Sequence, residues 1–112
     1  MLEIGAIVWG VRDIRRAAEF WSEALNYQIH FEKEDFAILK PKNGKGVQLN
    51  LDLKTSEKPK RHHMDIWVTG NIEEEVERLL TLGAARKEWR YPPNADYIVL
   101  TDPDGNAFCL IR

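Results

Sequence analysis

The sequence predicts an α+β protein built from two βαβββ modules. Two observations lead there: a strand-then-helix pattern occurs twice in register, and three strand candidates follow each helix. A third is the polar stretch from Lys54 to Arg61, which separates the repeats as a linker. The modules occupy 1–53 and 62–112 of what reads as a single domain, 1–112.

The first module opens with Ala6-Ile7-Val8-Trp9-Gly10-Val11, a short apolar run that suits a strand. Asp13 follows as a helix N-cap, and Ile14, Ala17, Ala18, Trp21 and Leu25 recur behind it at helical spacing. Three strands are expected next, at Tyr27–Glu32, Phe36–Leu39 and Val47–Leu51. Lys33-Glu34-Asp35 and Pro41-Lys42-Asn43-Gly44 break them, both rich in turn residues.

The second module repeats the plan. Met64-Asp65-Ile66-Trp67-Val68 is its first strand and Asn71 its N-cap. Ile72, Val76, Leu79 and Leu80 form the helix stripe, and Gly83 stands where a helix ends in a glycine. Glu73, Glu74 and Glu75 occupy the first turn, where the helix dipole favours negative charge. Strands are expected at Ala85–Tyr91, Tyr97–Leu100 and Ala107–Ile111. The break at Asp102-Pro103-Asp104-Gly105-Asn106 is specific, since Pro103 suits a turn's second position and Gly105 can take positive φ.

Composition narrows the function classes. The chain has 112 residues, 44% of them apolar, which supports a small core that a second subunit would help to complete. A net charge of −2, with acids and bases interspersed, argues against a nucleic-acid partner. The one basic cluster, Lys58-Pro59-Lys60-Arg61, is short and reads as solvated linker. Cys109 is the only cysteine, so no intrachain disulfide framework exists. Met1-Leu2-Glu3-Ile4-Gly5 lacks the pattern of a signal peptide, and no apolar run nears the roughly 20 residues that span a bilayer. The expected location is the cytoplasm, with no membrane partner.

With this organisation the chain resembles the vicinal-oxygen-chelate superfamily (glyoxalase, bleomycin-resistance and dioxygenase proteins) over nearly its whole length, closest to the small glyoxalase-like proteins. Val11-Arg12-Asp13-Ile14-Arg15-Arg16-Ala17-Ala18-Glu19-Phe20-Trp21 is similar to the family's strand-to-helix junction. His63-Met64-Asp65-Ile66-Trp67-Val68 looks like the strand that opens its second module. Thr101-Asp102-Pro103-Asp104-Gly105-Asn106-Ala107-Phe108-Cys109-Leu110 matches its closing hairpin and is the most specific of the three. The resemblance implies a curved, incompletely closed mixed β-barrel with the helices outside and a ligand-binding cleft on its concave face. It also implies a homodimer, a common state in the superfamily.

Enzymes of the superfamily hold a divalent metal through two side chains per module, and the metal polarises vicinal oxygens of the substrate. Carried onto this chain, the first-strand positions fall on Ala6 and His63. The last-strand positions fall on Gln48 or Asn50 and on Cys109, where metal-binding members carry Glu. Ala6 cannot ligate, the amides are weak ligands, and His63 with Cys109 alone makes an incomplete zinc site. The usual metal site is therefore not expected; if a divalent metal binds, His63 is the strong candidate.

The expected cleft residues are Gln48, Asn50, His63, Asp65, Trp67, Tyr97 and Cys109. His63, Asp65 and Trp67 share one strand face, either as a polar and aromatic strip for a ligand or as a hydrogen-bonded pair beneath a packed indole. Trp9 and Trp21 read as core, while Trp67, Trp89, Tyr91 and Tyr97 are rings that could face a planar ligand. For any single ring core packing is the first expectation. Cys109 lies between Phe108 and Leu110 and reads as an inert small residue rather than a nucleophile. Asp13 and Asp102 read as cap and turn residues. The leading reading is a small-molecule-binding protein without the usual catalytic metal. The alternatives are a metal-dependent lyase, isomerase or dioxygenase with a non-standard ligand set, and an assembly module with a vestigial cleft.

Overall fold

A computed structural model of the chain describes residues 1, 4–58 and 62–112. The amino-terminal reading at Leu2 and Glu3 lies outside the described residues, as does most of the basic cluster, Pro59, Lys60 and Arg61. The chain divides into two compact units, Met1–Glu57 and Lys58–Arg112, and the division falls within the stretch that the sequence marks as linker.

The first unit runs β1 (Ala6–Val11), α1 (Ile14–Leu25), β2 (Tyr27–Lys33), β3 (Phe36–Pro41) and β4 (Gln48–Leu53). Its sheet has the order β1-β4-β3-β2. β1 and β4 are parallel, with Ala6 opposite Gln48 and Val8 opposite Asn50, and the remaining pairs are antiparallel. The Asp13 carboxylate caps α1 by accepting from the Arg16 amide at 3.1 Å, which satisfies one of the orphan donors of the first turn. At the other end Asn26 takes a left-handed backbone, φ 56°, and stops the helix. That stop went unread in the sequence, where glycine is the usual sign and asparagine the less frequent one.

The stripe of α1 is wider than the spacing suggests. Ile14, Ala17, Ala18 and Trp21 are buried as expected, Phe20 joins them, and Leu25 is only half-buried. Trp21 meets Trp9 of β1 edge-on at 6.1 Å and Phe20 edge-on at 4.9 Å. Such pairs add about 0.5–1.5 kcal/mol each beyond the area they bury. Trp9, Val11, Leu49, Leu51, Ala37 and Leu39 are buried on the sheet face that meets α1. The alternation of β4 places Gln48 and Asn50 on the other face.

The second unit repeats the order with β5 (Met64–Trp67), α2 (Ile72–Leu82), β6 (Ala85–Arg86), β7 (Tyr97–Thr101) and β8 (Ala107–Ile111). Its sheet is β5-β8-β7-β6, again with one parallel pair, β5 with β8. The Asn71 side chain accepts from the Glu74 amide at 3.0 Å. Gly83 ends α2 at φ 121°, its amide reaching the Leu80 carbonyl at 3.2 Å. Ile72, Val76 and Leu79 of α2 and Leu100, Phe108 and Leu110 of the sheet are buried. The fold is thus α+β, two helices and two open four-stranded mixed sheets, and neither sheet closes into a barrel.

One expected strand is largely absent. Ala85–Tyr91 shrinks to the two residues Ala85 and Arg86 at the edge of its sheet. Trp89, Arg90 and Tyr91 have the composition of a strand, but Pro92 and Pro93 follow, and proline cannot donate to a ladder. The Tyr91 hydroxyl instead accepts from the Val99 amide at 2.8 Å, so a side chain takes the place of a strand carbonyl.

The closing hairpin forms as read. Asp102 and Asn106 are buried polar residues, at 3% exposure each, and they satisfy one another. The Asp102 carboxylate accepts from the Asp104 amide (3.0 Å), the Asn106 amide (2.8 Å) and the Asn106 side chain (3.1 Å). Gly105 supplies φ +83°, and its amide reaches the Asp102 carbonyl at 2.9 Å.

Candidate functional site

The predicted site residues fall on two sheets, one in each unit. In the first unit Ala6 and Gln48 are cross-strand neighbours, as are Val8 and Asn50. Gln48 donates from Nε2 to Asn50 Oδ1 at 2.8 Å, so these two amides already satisfy part of each other's hydrogen bonding. An alanine, a valine and a closed amide pair offer little to a cation.

The second unit gathers the stronger chemistry. Asp65 pairs with Cys109, which in turn pairs with Val99, while Ile111 lies between Trp67 and Tyr97. Directly paired residues share a sheet face, so Asp65, Trp67, Cys109 and Tyr97 stand on one side, and His63 joins them two residues before Asp65. Phe108 and Leu110, on the opposite face, belong to the buried core of the unit. The sequence therefore places five of its seven site residues on a common face, and the parallel β5–β8 ladder fixes their spacing.

His63 Nε2 lies 3.0 Å from Asp65 Oδ1, with both side chains about half exposed, at 52% and 57%. The hydrogen-bonded pair is present, but the packed indole expected above it is not: Trp67 is 75% exposed. One donor atom each from His63, Asp65 and Cys109 lies within 4.8 Å of the other two. Burial pushes the Cys109 thiol above its ordinary pKa, and the negative charge of Asp65 adds to the shift. A thiol held in its neutral form is a poor nucleophile, which agrees with the reading of Cys109 as unreactive toward electrophiles.

Beside this group stands an aromatic cluster that propensity reads as strand. Trp89 donates from its indole N–H to the Tyr97 hydroxyl at 3.3 Å, and the rings of Tyr91 and Tyr97 lie 5.5 Å apart at a 53° tilt. Trp89 and Tyr91 are 48% and 41% exposed, so they are not core residues. The signal that could have found the cluster is the Pro92-Pro93 pair, which ends strand geometry and turns the preceding rings into a loop.

A separate groove of about 470 Å³ opens in the first unit, lined by Asp13, Arg15, Glu32, Lys33 and Leu53 among others. Arg15 is already engaged there by Glu19 at 2.9 Å and Glu32 at 2.6 Å. None of the predicted site residues lines it.

Residues 6–111 match the family model described as a glyoxalase-like domain. The chain belongs to the glyoxalase-like domain family. A search of curated proteins found no match. Solved structures of glyoxalase-like relatives share the fold across almost the whole chain. A possible glyoxalase from Bacillus cereus has 19% identity, full coverage of both chains and a TM-score of 0.77. A glyoxalase-related enzyme from Fulvimarina pelagi has 18% identity, covers 99% of this chain and 88% of its own, and gives a TM-score of 0.76. The fosfomycin resistance protein FosX from Listeria monocytogenes, solved with Mn(II) and a dihydroxypropylphosphonic acid, has 17% identity and a TM-score of 0.77. That match covers 99% of this chain and 90% of FosX.

The family's usual metal set does not fit this member. Of the positions that would carry it, Ala6 has no donor atom and Gln48 and Asn50 are neutral amides bonded to each other. Only His63 and Cys109 remain, and both lie in the second unit. No helix among the described residues is long and apolar enough to cross a membrane.

Proposed function

We propose that this glyoxalase-like protein binds a small planar organic ligand on the open sheet face of its second unit, without the family's usual four-ligand metal site. The observation that carries the reading is Trp67, 75% exposed on the face shared with Tyr97 and flanked by His63 and Asp65. A solvent-facing indole beside a hydrogen-bonded polar pair supplies a stacking surface and directional groups, the usual ingredients of small-molecule recognition. Trp89 and Tyr91 extend the aromatic surface. Gln48 and Asn50, amide groups on the open face of the first unit, are proposed as ligand contacts of that unit.

The reading includes a second copy of the chain as partner and the cytoplasm as location. Ile4, Val8 and Phe31, at 78%, 62% and 47% exposure, are apolar surface that a homodimer would cover. The single half-buried cysteine suits a reducing compartment without requiring one.

The test is a nuclear magnetic resonance titration of the full chain with planar aromatic acids and nitrogen heterocycles. Saturable shifts at the Trp67 indole and the Tyr97 amide, lost in Trp67→Ala, are the expected result. Absence of saturable shifts across the set, or shifts confined to the Asp13–Glu32 groove, would overturn the reading.

A further inference from the structure

We propose that Asn43 is a self-modifying site, whose side-chain amide is lost to attack by the Gly44 backbone nitrogen. Aspartate and isoaspartate replace it in the turn that leads into β4. The inference is independent of the organic-ligand reading and uses none of the residues that carry it. The sequence singles out the pair: among Asn26, Asn43, Asn50, Asn71, Asn94 and Asn106, only Asn43 precedes a glycine. A Cβ on the following residue crowds the approach of its nitrogen to the asparagine Cγ, and glycine has none. Asn43, Gly44 and Lys45 are exposed. Nothing lies within 4 Å of where a Gly44 Cβ would stand, so the attack path is open.

The turn holds the reactants together. Asn43 Oδ1 accepts from the Lys45 amide at 2.9 Å, an Asx turn that spans the peptide between them. The side chain is thereby curled forward, and Cγ is carried toward the Gly44 nitrogen. When that nitrogen attacks, negative charge gathers on Oδ1, where the Lys45 N–H already points. Lys42 and Lys45 flank the pair, and their positive charge favours the deprotonated amide that does the attacking. One contact opposes the step, because the Gly44 amide donates to the Pro41 carbonyl at 3.2 Å. In an exposed turn, water takes over so long a bond at small net cost.

The chemistry needs only water. The Gly44 amide proton passes to solvent base, the bond from its nitrogen to Cγ forms, and the Asn43 side-chain nitrogen leaves as ammonia. The five-membered succinimide then takes up one water and opens at either carbonyl. One opening gives aspartate, and the other gives isoaspartate with the backbone running through Cβ. Either product adds a negative charge between two lysines. The change falls between two anchors, the Lys42 amide on the Asn26 carbonyl at 3.3 Å and the Tyr27 hydroxyl on the Val47 carbonyl at 2.6 Å. It therefore marks the approach to Gln48 in β4 and leaves the core alone.

Asp104-Gly105 could close the same ring by sequence, and the structure prevents it. The Asp104 amide donates to the Asp102 carboxylate at 3.0 Å and the Gly105 amide to the Asp102 carbonyl at 2.9 Å. One oxygen of the Asp104 carboxylate is itself buried, so this pair is held where Asn43-Gly44 is open.

The experiment incubates the full chain at mildly alkaline pH, folded and in urea, and follows released ammonia, intact mass and peptide maps. An isoaspartyl methyltransferase with a labelled methyl donor marks the isoaspartate. Expected from the folded chain are about one equivalent of ammonia, a mass gain of about 1 Da in the β3–β4 peptide, and a rate that climbs with pH. Unfolding should speed the loss at Asn43 by less than about tenfold, while label at Asp104-Gly105 should appear only in urea. Gly44→Ala should slow the loss severalfold. Asn43→Gln, which must close a larger ring and leaves the glycine in place, should release no ammonia over the same period. Near-ultraviolet circular dichroism shows that each variant is folded. The proposal is overturned if the folded chain stays unconverted while the urea-unfolded chain reacts, if either variant reacts as fast as the parent, or if another residue is labelled first.

Discussion

The two units share an element order and differ in what they do with the face their helix leaves open. The first devotes its rigidity to α1, where Trp9, Phe20 and Trp21 interlock, and closes its polar strip by bonding Gln48 to Asn50. The second has a shorter edge strand, a looped aromatic segment, and His63, Asp65 and Cys109 clustered beside an exposed indole. A duplicated scaffold therefore need not carry duplicated chemistry. The ladder fixes where a side chain can project, and the residue at each position decides what that place can do.

The largest test of this contrast compares two tryptophans. Trp21 in the first unit is fully buried, and Trp67 in the second is 75% exposed. Trp21→Ala should cost about 3–5 kcal/mol in urea unfolding, because it leaves a ring-sized cavity against Trp9 and Phe20. Trp67→Ala should stay within about 0.5 kcal/mol of the parent, as surface changes do. If Trp67→Ala proved as destabilising as Trp21→Ala, its ring would be structural and the division of labour would fail.

That pair also shows how far the sequence could be read. Trp9 and Trp21 were legible as core, since strand parity and helix spacing each assign a face without reference to anything distant. The βαβββ order was legible for the same reason, and the Asp102–Asn106 turn because proline and glycine restrict the backbone directly. Two features were hidden. The Lys87–Tyr91 stretch has strand composition with only Pro92-Pro93 beyond it as a sign to the contrary, and the bond that replaces its ladder, from the Val99 amide to the Tyr91 hydroxyl, joins residues eight apart that no local pattern links. The grouping of His63, Asp65 and Cys109 was half visible: His63 and Asp65 share a face by parity, yet their proximity to Cys109 depends on the β5–β8 register. No local pattern encodes a register between strands that a helix and two further strands separate.

A smaller effect is expected at the closing turn of the second unit. Gly105 sits at φ +83°, and nothing lies within 4 Å of where a Cβ would be, so a substitution there meets conformational strain and no clash. Gly105→Val should cost about 1–3 kcal/mol, and Gly105→Asn clearly less, since asparagine tolerates the left-handed region. Equal costs for the two would mean that the turn is not held by backbone conformation. Gly44 at φ +73° in the first unit offers the matching site, also with open space around it. A valine there should behave alike if the two units use turns in the same way.

The smallest expected effect separates the units through a tyrosine in each. The Tyr27 hydroxyl donates to the Val47 carbonyl at 2.6 Å, whereas the Tyr91 hydroxyl accepts from the Val99 amide. Burial raises the Tyr27 pKa above its ordinary 10.0, so the folded state holds the proton more firmly than the unfolded chain does. A raised folded-state pKa means that this stabilisation is complete below about pH 10 and is lost as the pH climbs through the folded value. Tyr27→Phe should therefore cost about 0.5–1.5 kcal/mol at neutral pH, the net worth of one hydrogen bond. It should also flatten the alkaline fall in melting temperature, because the variant has no proton to lose at that position. The Tyr91 hydroxyl serves instead as the acceptor for the Val99 amide, so Tyr91→Phe should lower stability by leaving that amide without its partner. An alkaline limb unchanged in Tyr27→Phe would show that its hydroxyl is not what ties Val47 to the start of β2.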